Sequence, residues 1–380
     1  MKQECPELRE LVSYLAQTLQ AEPGQADSGR QVGNLPAPHA SANQSEPPGQ
    51  AISSAATGNW QWQEWSIVPV TGGMNNRLFR ATAPAADVAI KFTMRDKRDR
   101  AGREWAALKF LAEHAPDLAP HPLLLDRSSY AHQVIVQSWL AGDASASIPA
   151  NDPSWHALCQ HLLKIHSLPA SPRHPAIRSV VLYVTSPADA LQAIRSQHSR
   201  LPPEEWAPGV NDLIAKAHSE AWPQWPQPPL RFCRGDPNIR NFIRRANAWA
   251  SVDWEYSGWG DPAFEIADFL VHAAHIEWPR QQTRRLVDFY SASSSDPTIT
   301  QRIAVYETLM LVWWTLRLGR ILPEARTGRD KRLVTFSQSW LEERRLLQRH
   351  YQQLAEAALS NRSALPEPPT PTCRARPRLT

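Results

Sequence analysis

Cys233-Arg234-Gly235-Asp236-Pro237-Asn238-Ile239-Arg240-Asn241-Phe242, followed by Val252-Asp253-Trp254-Glu255, is the stretch on which the reading of this chain turns. Leu230–Cys233 is apolar and strand-like, and Gly235 and Pro237 then break regularity around Asp236. Asn241-Phe242-Ile243 and Trp249–Val252 read as two short strands joined by Arg244 to Ala248, with Asn247 as the turn former. An antiparallel pairing centred on residue 247 sets Asn241 opposite Asp253, so an amide oxygen and a carboxylate converge at one mouth, with Asp236 held nearby. Hard oxygen ligands in a small, incomplete set suit Mg²⁺, which keeps waters and completes its shell with phosphates. A carboxylate about 4 Å from a phosphate oxygen is repelled by roughly 4 kcal/mol at an effective dielectric of about 20, and a divalent ion between them reverses the sign. Asp236, with an ordinary pKa of about 3.9, is a weak base. It suits a loose phosphoryl-transfer transition state, in which the carboxylate aims a hydroxyl and takes its proton late.

Outward from this stretch the chain divides by composition. Its 380 residues are 42% hydrophobic and 21% charged, which places it among globular proteins with ample length for a core. Trp65–Val70, Leu78–Ala83, Val88–Thr93 and Gln133–Trp139 carry the apolar, β-branched and aromatic content of strands, interrupted by one amphipathic helix, Arg100 to His114. Helical periodicity then dominates: Trp155–His166, Pro187–His198, Asn211–Ala221, Ala263–His275, Gln282–Tyr290, Gln301–Leu318 and Ser337–Leu359. The expected architecture is α+β, with a β-rich N-lobe over 60–140, a helical C-lobe over 141–360 and a ligand cleft between them. Ahead of the lobes, residues 1–20 carry a short amphipathic helix (Leu8, Leu11, Val12, Leu15, Leu19), either a docking element or packed on the main body. Residues 21–59 are poor in large apolar side chains and read as a disordered linker, and 361–380 as a loose tail.

Charge and cysteine usage exclude several classes. The net charge of +4 arises from 41 basic and 37 acidic residues without a dense basic stripe, which argues against nucleic acid as a partner. No apolar run approaches the roughly 20 residues of a membrane span, and the N-terminus lacks the apolar block of a signal peptide. Cys5, Cys159, Cys233 and Cys373 form no CxxC pair, so neither a disulfide framework nor a zinc site is indicated and a cytoplasmic location is expected.

Asp236-x-x-x-x-Asn241 and the later Asp253 resemble the catalytic and metal motifs of the aminoglycoside phosphotransferase/choline kinase family, protein-kinase-like enzymes acting on small molecules. Lys164-Ile165-His166-Ser167-Leu168-Pro169 resembles the family's "LHxLP" segment, and Asp253-Trp254-Glu255 with Gly260-Asp261-Pro262 and Asp268 its "DWE…GDP…D" stretch. The resemblance spans about residues 60–350. It implies a bilobal kinase-like fold with a small antiparallel-sheet N-lobe and a larger helical C-lobe. It further implies ATP and Mg²⁺ as cofactors, Asp236 as the catalytic residue, and Asn241 and Asp253 as metal ligands. One departure stands out: Arg234 occupies the place of the family's usual histidine, which orders the loop.

For the nucleotide, strand alternation puts Lys91 on the face opposite Val88, Ile90 and Phe92, where its charge needs a partner. By resemblance Lys91 contacts the α- and β-phosphates and Glu104 fixes it, with Glu113 a competitor on the same helix. Thr71 to Arg77 lies between two strands and is expected to cover the phosphates through Gly72, Gly73 and Asn75; it is not GxGxxG, which excludes the dinucleotide fingerprint. Gln137 and Trp139 lie in the expected adenine-reading hinge. Glu255 either reaches the metal or braces the loop. The family implies a small hydroxyl-bearing acceptor, such as an amino alcohol, an aminoglycoside, a thiamine-like compound or a sugar. The tryptophans of the helical lobe fit an aromatic cage for a cation or simply core packing. The rival reading is a catalytically silent nucleotide-binding regulatory protein of the same fold, which the intact trio Asp236, Asn241 and Asp253 disfavours.

Overall fold

Alternation along a strand rich in β-branched and aromatic residues buries one face and commits the other, and β4 (Ala86–Thr93) shows both outcomes. The computed structural model describes residues 8, 10–13, 15, 60–70, 76–144, 147–246, 248–326 and 337–361; the expected linker, the Gly72-Gly73 loop with Asn75, and the tail after Asn361 lie outside these. β4 sits in a six-stranded antiparallel sheet with β1 (Trp60–Trp62), β2 (Trp65–Val70), β3 (Asn76–Ala83), β5 (Pro122–Asp126) and β6 (Gln133–Ser138), in the order β1-β2-β3-β4-β6-β5. Strand β5 was not among the sequence expectations. Only Leu123 to Leu125 signal it, and it finds its place because β6 offers a free edge, paired across a register shift between Pro122 and Leu124.

The sheet's two faces belong to different cores. Ile67, Phe79, Val88, Ile90, Phe92, Val134 and Val136 form the outer one, and Leu8, Leu11, Val12 and Leu15 are buried against it. The N-terminal segment therefore packs on the sheet rather than standing free, and Trp62 Nε1 donates to Ser13 Oγ at 3.1 Å. The opposite face carries Lys91, which stands across from Ile135 in the register, and receives α1 (Arg100–His114) through Ala101, Leu108 and Leu111.

The helical lobe consists of α2 (Asp152–His166), α3 (Pro187–His198), α4 (Val210–Ser219), α5 (Pro262–Val271), α6 (Arg280–Ser293), α7 (Ile299–Arg326) and α8 (Gln338–Asn361). Several starts are written locally. Asn151 accepts from Ser154 N–H at 3.0 Å, Ser186 from Asp189 N–H at 3.2 Å and Asp261 from Ala263 N–H at 2.9 Å, each with proline in the first turn. Long α7 packs on α3, α5 and α8 and centres the core through Ile303, Tyr306, Leu309, Val312 and Leu316. Between α4 and α5, β7 (Arg231–Cys233) pairs antiparallel with β10 (Gly258–Gly260), and β8 (Phe242–Arg244) with β9 (Trp249–Ser251). These two ribbons bring residues 234–256 to the seam with the sheet lobe. The segment leaving β6 joins them, since Asp143 and Arg244 exchange backbone hydrogen bonds of 2.9 and 2.8 Å.

Candidate active site

Lys91 is 6% exposed, and its Nζ lies 2.6 Å from Oε2 of Glu104 and 2.5 Å from Oδ1 of Asp253. One pair is within the sheet lobe and the other crosses the seam. Burial alone would push the ammonium down, but Asp253 and Glu104 reverse that and hold it above its ordinary value. The Coulomb attraction of one such contact is about 6 kcal/mol at an effective dielectric of about 20, before desolvation is subtracted, so Lys91 stays charged. Glu104, not Glu113, faces inward: it is fully buried, whereas Glu113 is exposed at the helix end.

A second contact set fixes Glu255. Its Oε1 meets Arg100 Nη1, one turn before Glu104, and its Oε2 accepts from Asn76 Nδ2 at 3.2 Å. Arg100 in turn donates from Nε to Asp96 at 2.9 Å. Carboxylate oxygens of Glu104, Asp253 and Glu255 lie within 4.8 Å of one another. Burial and the neighbouring Asp253 charge push Glu255 up, against the pull of Lys91 and Arg100. Glu255 thus braces the loop and also borders the acid cluster.

The loop carrying Asp236 leaves β7 through Arg234 and Gly235. Arg234 has no exposure; its guanidinium lies 4.8 Å from the Phe242 ring centre and 4.5 Å from that of Trp254, and Nη2 donates to Val252 O at 2.9 Å. It ties this loop to the end of β9. Burial pushes Arg234 down, while Glu265, Asp236, Asp253 and Glu104 oppose the shift. Gly235 adopts φ 70°, and a Cβ there would meet the Tyr256 carbonyl oxygen at 2.5 Å, so backbone conformation and space both require glycine. Its N–H donates to Glu265 Oε2 at 3.0 Å, and Glu265 Oε1 lies 3.3 Å from His166 Nε2. Tyr290 OH, 2.7 Å from Nδ1, closes this chain of buried groups. Burial would raise Glu265, but His166 and the Gly235 N–H hold it below the carboxylate range, so it supports the loop as an anion. His166 is a bracing residue, and the Cys233 thiol is pushed well up by burial.

Asp236 itself is half-buried and lies 3.3 Å from His272 Nε2. Burial would raise its carboxyl, but His272, Arg234 and the Asn238 N–H outweigh burial and hold it below the usual range. Asn238 Oδ1 accepts from Arg240 N–H at 3.1 Å and shapes the short turn Ile239–Asn241.

The ribbon register departs from expectation by one step. Phe242 faces Ser251 and Ile243 faces Ala250, and Val252 N–H donates to Asn241 O at 2.9 Å, so Asn241 stands opposite Val252 rather than Asp253. Arg245 N–H donates to Ala248 O at 2.8 Å, which continues this register toward the turn; the expected turn former, Asn247, lies outside the described residues. Asp253 then leaves the ribbon with φ 63°, a left-handed conformation uncommon outside glycine, and turns toward Lys91. Asn241 Nδ2 is buried without a hydrogen-bond partner among the described residues.

Of the expected hinge, Gln137 is buried on the Lys91 face with Oε1 unpartnered among the described residues. Trp139 N–H is committed to Asp87 O at 2.9 Å, and its ring lies under the Arg80 guanidinium at 4.7 Å. The tryptophans divide among packing roles: Trp254 stacks on Phe232, Trp314 Nε1 donates to Asp268 Oδ1 at 2.9 Å, and Trp278 packs edge-on against Trp155. Asp261 binds Arg302 and Tyr306, so this acid braces α5 rather than facing a ligand. Sequence reading missed His272, Arg100 and Asn76; each stands more than 30 residues from its partner, where no spacing rule operates.

Over residues 66–303 the chain matches the profile of the phosphotransferase enzyme family. No curated protein matches it by sequence. A choline/ethanolamine kinase family protein from Mesorhizobium loti is 21% identical with a TM-score of 0.52, over 76% of this chain and 90% of that one. Choline kinase LicA from Streptococcus pneumoniae is 16% identical with a TM-score of 0.50, over 79% and 95%. Spectinomycin phosphotransferase in complex with ADP and spectinomycin is 11% identical with a TM-score of 0.51, over 77% and 93%. These likenesses are of fold: an antiparallel-sheet lobe ahead of a helical lobe, in the protein-kinase-like arrangement.

Proposed function

Because the chain belongs to the phosphotransferase enzyme family, we propose that it is an ATP- and Mg²⁺-dependent small-molecule kinase, transferring the γ-phosphate to an alcohol oxygen. The observation that carries this reading is Lys91, held between Glu104 of the sheet lobe and Asp253 of the helical lobe at 2.6 and 2.5 Å. A buried lysine so placed is a fixed positive charge at the seam, available to the α- and β-phosphates.

The donor set fits a hard divalent cation. Asp253 and Glu255 supply carboxylate oxygens within 4.8 Å of each other, and Asn241, which stands opposite Val252 next to Asp253, would add its amide oxygen. Asp253 and Asn241 would hold Mg²⁺, which when bound offsets the charge of the phosphate oxygens. The remaining work falls to the chain. Asp236, kept ionised by its neighbours, orients the acceptor hydroxyl and accepts its proton as the new oxygen–phosphorus bond forms and the bond to the ADP oxygen breaks. The Gly72-Gly73 loop with Asn75 would cover the phosphates, and Gln137 and Trp139 would border the adenine. The ADP and spectinomycin complex of a protein with the same fold supports nucleotide use and a small acceptor. The acceptor class we favour is an amine-bearing alcohol or a sugar.

Release of ADP from Mg-ATP over a panel of amino alcohols, sugars, aminoglycosides and thiamine-like compounds tests the reading. At least one compound should raise release well above the acceptor-free rate, and Asp236→Asn should abolish that increment by several orders of magnitude while still binding nucleotide. Full turnover in Asp236→Asn would overturn the catalytic assignment. Nucleotide binding with no transfer to any acceptor would favour the silent regulatory reading.

A further inference from the structure

His272 follows the last residue of α5 and is 7% exposed, so its ring is set by what surrounds it. Its Nδ1 accepts the backbone N–H of Ala274 at 3.1 Å. That nitrogen therefore carries no proton, and the N–H of the ring is on Nε2. Nε2 lies 3.3 Å from Asp236 Oδ1. Two neighbours hold the plane of the ring. Trp314 stands edge-on to it, with centroids 4.9 Å apart and planes at 82°. His275 stacks at 5.6 Å and 20°. Trp314 is itself pinned, because its Nε1 donates to Asp268. His275 is pinned by its Nε2 bond of 2.6 Å to Phe269 O.

This is more fixation than a packing histidine needs. Backbone, α5 and α7 together set the tautomer and the place of Nε2, which lies 3.3 Å from the carboxylate to which transfer is assigned. We propose that His272 is a positioning residue for phosphoryl transfer: it holds Oδ1 of Asp236 and leaves Oδ2 to meet the acceptor hydroxyl. The inference rests on the proposed phosphotransferase activity for its kinetic meaning but not for its geometry. The charged and titratable groups facing the pair are Arg234 and Tyr256 on the Asp236 side, and Asp268 and His275 on the His272 side. Burial and His272 hold His275 down at about 3, so it stays neutral over the working range, and the donor to Asp236 does not change with it.

The test uses the full-length protein and two variants, His272→Ala, which removes the donor, and His272→Gln, which keeps an N–H of similar reach. With an acceptor from the panel, His272→Ala should lower kcat about tenfold to a hundredfold. KM for Mg-ATP should stay within about twofold, and the acidic limb of the kcat/KM profile should move to higher pH. His272→Gln should recover most of the loss. Wild-type kcat and pH profile in the alanine variant would overturn the proposal, as would a glutamine variant no better than alanine at equal thermal stability. A second arm needs no acceptor: the side-chain carboxyl of Asp236 is titrated by carbon-13 NMR, with its resonance assigned by Asp236→Asn. The midpoint should rise in His272→Ala and return toward wild type in His272→Gln. An unmoved midpoint overturns the inference whatever the acceptor. A moved midpoint with no turnover on any acceptor leaves the pairing standing and counts against the phosphotransferase reading instead.

Discussion

At the scale of single residues, the loop between β7 and the turn at Ile239–Asn241 is held by positions that tolerate one amino acid. Gly235 is the clearest. Its φ of 70° and the 2.5 Å approach of Tyr256 O mean that alanine must both strain the backbone and displace a carbonyl. Gly235→Ala should cost about 1–3 kcal/mol in urea unfolding, with a larger loss of transfer because Asp236 is the next residue. Asp268 gives a prediction of opposite sign. Burial lifts its carboxyl from 3.8 to about 6, against the pull of His272 and the Trp314 N–H. Raised above its unfolded value, the group contributes stability in full below about pH 4 and loses that contribution as pH climbs through about 6. Asp268→Asn keeps an oxygen for Trp314 and removes the titration. The variant should be more stable than wild type above pH 6, by an amount on the order of 3 kcal/mol, and flatter between pH 4 and 6. Equal pH slopes in calorimetric melts of the two proteins would contradict this.

At the scale of elements, the N-terminal helical segment changes its meaning on going from sequence to structure. Helical spacing of Leu8, Leu11, Val12 and Leu15 showed an apolar stripe but left open whether it docks a partner or packs on the main body. In the folded chain the stripe is the cover of the outer sheet face, with Leu11 and Val12 fully buried against Trp65, Ile67 and Phe79. Removal of residues 1–15 should therefore expose that face and lower stability by several kcal/mol, given roughly 1.5–3 kcal/mol per buried aliphatic side chain less the entropy of ordering. Leu11→Ala alone should cost about 2–5 kcal/mol. A urea midpoint unchanged in Leu11→Ala would show that the segment is not part of the core. The β8–β9 ribbon teaches the same lesson on a smaller scale. Its strands were legible from composition, but its register differs by one step from the expected one.

At the scale of the whole molecule, the two lobes meet through an apolar cluster, in which Phe110 packs on Phe232 and Trp259, and through charged and polar pairs: Lys91 with Asp253, Arg100 and Asn76 with Glu255, Arg98 with the Tyr256 hydroxyl at 2.9 Å, and Arg103 with Ser257 O at 3.0 Å. A ligand that joins Lys91 to Asp253 through phosphates bridges both lobes and should stabilise them together. At a hundredfold excess over Kd, Mg-ATP should add about 2.7 kcal/mol, visible as a rise in Tm, whereas Mg²⁺ alone should add little because Lys91 and Arg100 already pair with Glu104, Asp253 and Glu255 and no phosphate completes the ion's shell. No shift at millimolar Mg-ATP would count against the nucleotide site.

What the sequence determined by itself is local. The candidate trio Asp236, Asn241 and Asp253 was picked out by its resemblance to a family motif, Lys91 by sitting mid-strand between core residues, and α1 through α8 by periodicity. All of these depend on interactions within a few residues, which pattern and propensity encode directly. Only the tertiary structure decided which distant groups share a charge or a proton: Lys91 with Asp253, Arg100 with Glu255, His272 with Asp236, and the N-terminal stripe with the outer sheet face. The reason is that a buried charge accepts any opposite partner the fold delivers to within about 3–4 Å, and that delivery depends on how helices and sheet stack, not on separation along the chain.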